Sequence, residues 1–256
     1  MNDQMEGHRE LKLAVLIDAD NIPYANVKEM LEEITRYGIP TFKRIYADWT
    51  NPTVSGWKNV LLENAITPIQ QYAYTTGKNS TDSAMIIDAM DILYTGKVDG
   101  FCIVSSDSDF TRLATRLREA GMKVIGIGEK KTPAPFISAC EKFIYLEILK
   151  PQPTPSVTPA VEGASKGATK SQETIGKVDK FLKLFISNAI TEVANESGWA
   201  HLANVGERLL KIRPDFDPRN YGFPKLLPLI KSIGNYEVEE RGSTSAKAVY
   251  VRLKGA

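Results

Sequence analysis

The chain has 256 residues, of which 43% are apolar and 25% charged, an ordinary composition for a globular protein of one or two domains. No apolar run approaches the roughly 18 residues of a membrane span, and the polar start MNDQMEGHRE lacks the apolar centre of a secretory leader. Two cysteines (Cys102, Cys140) and two isolated histidines (His8, His201) argue against a disulfide framework and a zinc site and for a reduced, cytoplasmic setting. The net charge of +1 hides an asymmetry: residues 1–150 carry 17 basic against 20 acidic side chains, the remainder 15 against 11. An acidic part joined to a basic one fits a metal-using unit beside a nucleic-acid-binding one.

In chain order, Leu13–Ile17 is a continuous apolar run ending at Asp18, the pattern of a strand buried on both faces of a parallel sheet. Residues 25–37 read as a helix stopped by Gly38, 42–47 as a strand, 55–65 as a helix and 68–74 as a short strand. Residues 81–95 form a helix with Ser80 as its N-cap and Gly96 at its end. Gly100–Val104 is a second buried strand, followed by Ser105-Ser106-Asp107, a helix over 108–120 and a strand over 123–127. Alternating strands and helices predict an α/β fold, a parallel sheet flanked by helices on both faces, over 11–148.

The Pro-rich segment 149–173 buries no core and reads as a flexible linker. Beyond it, apolar residues at helical spacing around Val178–Phe185, Leu202–Leu210 and Leu226–Ile233 precede two strands, Tyr236–Glu240 and Lys247–Leu253, around a turn at 241–245. Three helices and a hairpin predict a small winged-helix α+β domain over 174–254.

Open α/β sheets bind ligands at the carboxyl ends of their strands. Two such ends carry acids here, Asp18-Ala19-Asp20-Asn21 and Asp107-Ser108-Asp109-Phe110. Asp82 joins them if the first turn of its helix opens onto the same cleft. Converging carboxylates raise one another's pKa, and a hard divalent cation, Mg²⁺ or Mn²⁺, removes that repulsion while activating water. Each acid also has a structural reading. Asp18 can form a turn, Asp107 or Asp109 can cap the following helix, and Asp82 can favour a helix dipole. Asp88 and Asp91 read as solvated or interhelical. A phosphatase of the haloacid dehalogenase type is a further reading of Asp18-Ala19-Asp20, but Ile22 stands where that pattern has Thr or Val and no lysine motif intervenes.

Asp18-x-x-Asn21, the segment Lys78-Asn-Ser-Thr-Asp82-Ser-Ala-Met-Ile-Ile-Asp88 and Val104-Ser-Ser-Asp107-Ser-Asp109-Phe110 together resemble the NYN domain in its LabA-like branch, over roughly 11–148. The link before Asp82 departs from the shorter, Gly-containing one of that branch. The resemblance implies a PIN-like fold and RNA cleavage. It makes Asp18, Asp82, Asp107 and Asp109 the Mg²⁺ or Mn²⁺ ligands, with Asn21 orienting the catalytic site and Asp88 a secondary candidate. Lys78 and Arg112, close in sequence to these acids, are candidate RNA contacts.

Gly198-Trp199-Ala200, Val205-Gly206, Pro214-Asp215-Phe216 and Tyr221-Gly222-Phe223-Pro224-Lys225-Leu226 resemble the OST-HTH, or LOTUS, domain, which implies RNA binding and, in some members, protein partners. Arg219, Tyr221, Lys225, Lys231 and Arg241 are its candidate RNA contacts. The joint expectation is an endoribonuclease whose second domain recruits RNA, with no membrane role. DNA is not excluded as a substrate, a homodimer or protein partner is possible, and the alternative is a non-catalytic RNA-binding adaptor.

Overall fold

The structure, a computed structural model, describes residues 10–72, 80–149, 175–242 and 247–255. The chain forms two compact units, Met1–Lys150 and Pro151–Ala256. The expected linker beyond Leu149, which is itself buried at the end of a 3-10 turn rather than part of a linker, the 241–245 turn beyond Gly242 and Lys78 lie outside the described residues.

The first unit is built on a six-stranded, all-parallel sheet. Its strands are β1 (Lys12–Asp18), β2 (Ile39–Ala47), β3 (Thr67–Gln70), β4 (Gly100–Val104), β5 (Lys123–Gly128) and β6 (Lys142–Tyr145), in the spatial order β3-β2-β1-β4-β5-β6. The two continuous apolar runs of the sequence lie side by side at its centre. Six of the seven β1 residues are buried, as are all five of β4, because both faces are covered by helices. The helices are α1 (Val27–Ile34), α2 (Trp57–Asn64), α3 (Ser80–Tyr94), α4 (Thr111–Glu119) and α5 (Ala134–Ala139). Strand order reverses between β1 and β4, and such a switch point leaves a crevice outside the carboxyl ends of the two strands.

Local details depart from expectation for identifiable reasons. The second strand starts at Ile39 rather than 42, because Ile39 N donates to Leu11 O at 2.7 Å and opens the β1 pairing before burial sets in. The third ends at Gln70, as a short edge strand. The helices after Asn21 and Asp107 open as 3-10 turns, Tyr24–Asn26 and Ser108–Phe110. Helix α3 already includes Ser80. Helix α5 and strand β6 are absent from the sequence reading, since six and four residues are too few to show a period.

The second unit comprises α6 (Lys180–Val193), β7 (Ala200–His201), α7 (Leu202–Ile212), α8 (Leu226–Ile233), β8 (Tyr236–Arg241) and β9 (Ala248–Leu253). The strands form an antiparallel sheet in the order β7-β9-β8. The expected three helices and hairpin are present, with the two-residue β7 added. Leu182, Ile186, Ala189, Ile190, Val205, Leu209, Phe216, Leu229, Ile230 and Val251 form its core. Among the described residues no helix is long and apolar enough to cross a membrane.

Candidate metal centre

The sheet register brings the two acidic strand ends together. Ile17 pairs with Val104 as the last matched residues of β1 and β4, so Asp18 and Ser105 emerge side by side. Asp18 is 1% exposed. Its Oδ2 accepts from Ser105 Oγ at 2.7 Å and from Asn21 Nδ2 at 2.8 Å, and its Oδ1 accepts from Asp20 N at 3.2 Å. Burial raises its carboxyl above the ordinary range more than these hydrogen bonds lower it.

Ser105 also organises the second acidic segment. Its Oγ accepts from Asp107 N at 3.0 Å, and its own N donates to Ile127 O on β5 at 3.0 Å. Asp107 Oδ1 accepts from Asp109 N at 2.9 Å, capping the 3-10 turn that leads into α4. Asp107 is therefore a capping residue, as one of its two readings held, and its other carboxylate oxygen carries no part of that cap. Gly128 closes the floor. A Cβ there would lie 2.5 Å from Ser105 O and 2.7 Å from Thr132 Oγ1, so only glycine lets β5 approach the Ser105 backbone.

Asp82 reaches this point from the first turn of α3. Asp82, Asp107 and Asp109 each offer a carboxylate oxygen, all within 4.8 Å of one another. Asp18 stands outside that trio, its Oδ2 turned toward Ser105 and Asn21. Its charge still acts on the trio. Burial, followed by the charges of Asp18, Asp107 and Asp109, pushes the Asp82 carboxyl up to about 6. Asp20 is exposed as a residue, yet partial desolvation raises its carboxyl against a hydrogen bond from Thr81. Asp20 and Thr81 thus join the rim of the site, a role that sequence reading missed.

The donor set suits a hard cation. Two oxygens on one Mg²⁺ lie at most about 4.2 Å apart, twice its roughly 2.1 Å bond. Separations up to 4.8 Å close by small side-chain rotations. Both cysteines are free and buried, and burial pushes the Cys140 thiol up to about 12 and Cys102 higher still. Neither is available as a thiolate near neutrality.

Asp88 has another task. It accepts from Arg44 Nη1 and from the Tyr46 hydroxyl, both on β2, and ties α3 to the sheet. Arg112, on the first turn of α4, is exposed and makes no ion pair among the described residues.

The NYN domain profile matches residues 12–147. The chain belongs to the NYN domain family. A second profile, the OST-HTH/LOTUS domain, matches residues 173–247. This NYN protein thus pairs a PIN-like nuclease fold with a domain of an RNA-binding family. Among solved structures it is similar to a protein of unknown function from Vibrio parahaemolyticus, at 21% identity, over 54% of this chain and 94% of that one, with a TM-score of 0.46. An uncharacterized protein from Nitrosomonas europaea is 34% identical over 41% of this chain and 93% of its own, with a TM-score of 0.26. A protein from Chromobacterium violaceum is 37% identical over 29% and 82%, with a TM-score of 0.26. No curated protein matches the chain.

In the OST-HTH unit, the expected RNA contacts divide into two groups. Lys225 and Lys231, at the two ends of α8, are exposed and have no ion-pair partner among the described residues. Arg219 is held in a two-pronged pair with Asp217, Nε to Oδ1 at 3.0 Å and Nη2 to Oδ2 at 2.8 Å. Tyr221 packs on Phe216, ring centroids 6.2 Å apart. Arg241 lies 4.8 Å from the Trp199 ring centroid and 4.6 Å from that of Tyr250, and donates to Glu239 at 2.8 Å.

Proposed function

We propose that this NYN protein is a metal-dependent endoribonuclease whose OST-HTH domain recruits the RNA. The observation that carries the reading is the meeting of Asp82, Asp107 and Asp109 within 4.8 Å at the switch point of a PIN-like sheet, with the buried Asp18 near enough for its charge to act on Asp82. Among the described residues, the charges that act on the Asp82 carboxyl, those of Asp18, Asp107, Asp109 and Asp20, are all negative.

Asp82, Asp107 and Asp109 are the proposed direct ligands of Mg²⁺ or Mn²⁺, with Asp18 supplying the fourth carboxylate. The bound ion would supply an activated water and neutralise charge on the scissile phosphate. The chain's own residues prepare the place. Ser105 and Asn21 hold Asp18 in one orientation, and the Asp107 cap fixes the turn that carries Asp109. Arg112, exposed three residues beyond Asp109, is the proposed contact to the RNA backbone in this unit. In the second unit Lys225 and Lys231 are proposed to meet phosphates, whereas Arg219, Tyr221 and Arg241 chiefly shape the domain.

The test is cleavage of single-stranded RNA with Mn²⁺ by the wild type, Asp18→Asn and Asp107→Asn. The substitutions should lower the rate by about 100-fold or more. Equal cleavage by all three proteins overturns the assignment, and RNA binding without cleavage by any of them would make the chain an adaptor.

A further inference from the structure

The wing of the OST-HTH domain is electrostatically closed. Arg241 pairs with Glu239 at 2.8 Å, Lys247 with Glu240 at 3.5 Å and Arg252 with Glu237. Arg241 and Arg252 also lie on the same Trp199 ring, each 4.8 Å from its centroid. Three cations committed to three acids of one hairpin leave little charge for a phosphate chain.

The start of α6 has the opposite character. Phe181 is 83% exposed and Leu184 59%, one turn apart on the face turned away from the core residues Leu182, Ile186 and Ala189. Lys177, Lys180 and Lys183 flank them, and none makes an ion pair among the described residues. The one acid between residues 177 and 191 is Asp179, and its Oδ1 is occupied by Leu182 N at 2.9 Å, as the helix N-cap. The positive end of the helix dipole points the same way.

We propose that this face, Phe181 and Leu184 among Lys177, Lys180 and Lys183, is where the second unit seats single-stranded RNA. Each nucleotide of an unpaired strand offers what the face lacks, a phosphate for a lysine and a flat base for an exposed ring. A protein partner would have to supply a matching acidic and apolar strip, whereas RNA carries both in every repeat. The inference rests on the RNA-recruitment reading of this domain and assigns it a surface outside the wing.

The experiment measures binding of a fluorescent single-stranded RNA 12-mer to the full chain, with chelator present to prevent cleavage, as a function of salt. Phe181→Ala should weaken binding roughly 5- to 100-fold at unchanged salt slope, and Phe181→Trp should restore it. Lys177→Gln with Lys180→Gln should lower the slope of log K against log salt by about 1.4, near 0.7 per lost phosphate contact. Arg241→Gln should stay within about two-fold of wild type. Thermal melts check that the α6 variants remain folded. If the wild type binds and the α6 variants bind equally well with unchanged slope, the surface is not the RNA seat and is left to a protein partner. If the wild type binds no RNA, the recruitment reading itself falls.

Discussion

Ser105 and Asp18 are joined across the boundary between β1 and β4: the serine hydroxyl donates to Asp18 Oδ2 at 2.7 Å while accepting from Asp107 N at 3.0 Å. One fully buried hydroxyl therefore sets the positions of acids 89 residues apart in the chain. It couples the two strand-end motifs that the proposed metal site requires, and it does so without being one of the proposed ligands.

Ser105→Ala removes that link and leaves Asp107 N without its acceptor. The expected result is a loss of about 1–3 kcal/mol of stability, together with a drop of roughly 10-fold or more in Mn²⁺ affinity. Urea unfolding and calorimetry measure the two effects. Ser105→Thr keeps the hydroxyl and should retain more affinity than the alanine variant.

The Asp82 carboxyl, pushed up to about 6 by burial and by its acidic neighbours, makes a signed prediction. A carboxyl whose folded pKa lies above its unfolded one near 4 binds more protons in the native state. The metal-free protein therefore loses stability as pH rises from about 4 to about 6. Asp82→Asn should remove this part of the loss. The variant should gain on the wild type across that window and be the more stable above pH 6. Mn²⁺ affinity of the wild type should weaken as pH drops below about 6. Denaturant melts across pH, with and without Mn²⁺, read both.

Asp88 lies on the same helix as Asp82 but holds Arg44 and Tyr46 instead of the cleft. Asp88→Ala leaves the half-buried Arg44 guanidinium, with a side-chain exposure of 30%, without its partner. It should destabilise the fold by about 1–3 kcal/mol. Mn²⁺ affinity of the folded protein should change less than two-fold, which separates a fold-supporting acid from a ligand.

Ala65, which ends α2, sits at φ 50 and ψ 49, and is the one non-glycine residue with positive φ among the described residues. That conformation costs a side chain about 1–2 kcal/mol, and Ala65 is exposed, so little packing is at stake. Ala65→Gly should raise stability by up to about 1 kcal/mol, read as a higher urea midpoint at unchanged m-value.

The sheet was legible where burial leaves a pattern. The runs ending at Asp18 and Val104 announce two strands buried on both faces, and parallel β1 and β4 are the central pair. Strand-end acids were legible for the same reason, since a carboxylate directly after such a run stands at the rim of the sheet. Hydrogen bonds that depend on register were not. Ser105 among three serines looks inert until Ile17 is paired with Val104. Asp88 reads as solvated or interhelical, and by resemblance as a secondary site candidate, until Arg44 and Tyr46, more than 40 residues earlier, close on it. Strands β6 and β7, of four and two residues, exist through pairing with neighbours rather than through any periodicity of their own. Arg241 reads as a phosphate contact from charge alone, and its engagement with Glu239, Trp199 and Tyr250 needs the folded hairpin.

The central claim is that Asp82, Asp107 and Asp109 grip one divalent ion, and anomalous diffraction from crystals soaked in millimolar Mn²⁺ addresses it most directly. One peak about 2.2 Å from an oxygen of each of the three carboxylates is the predicted result. Full-occupancy density for all three side chains with no anomalous peak among them would contradict it.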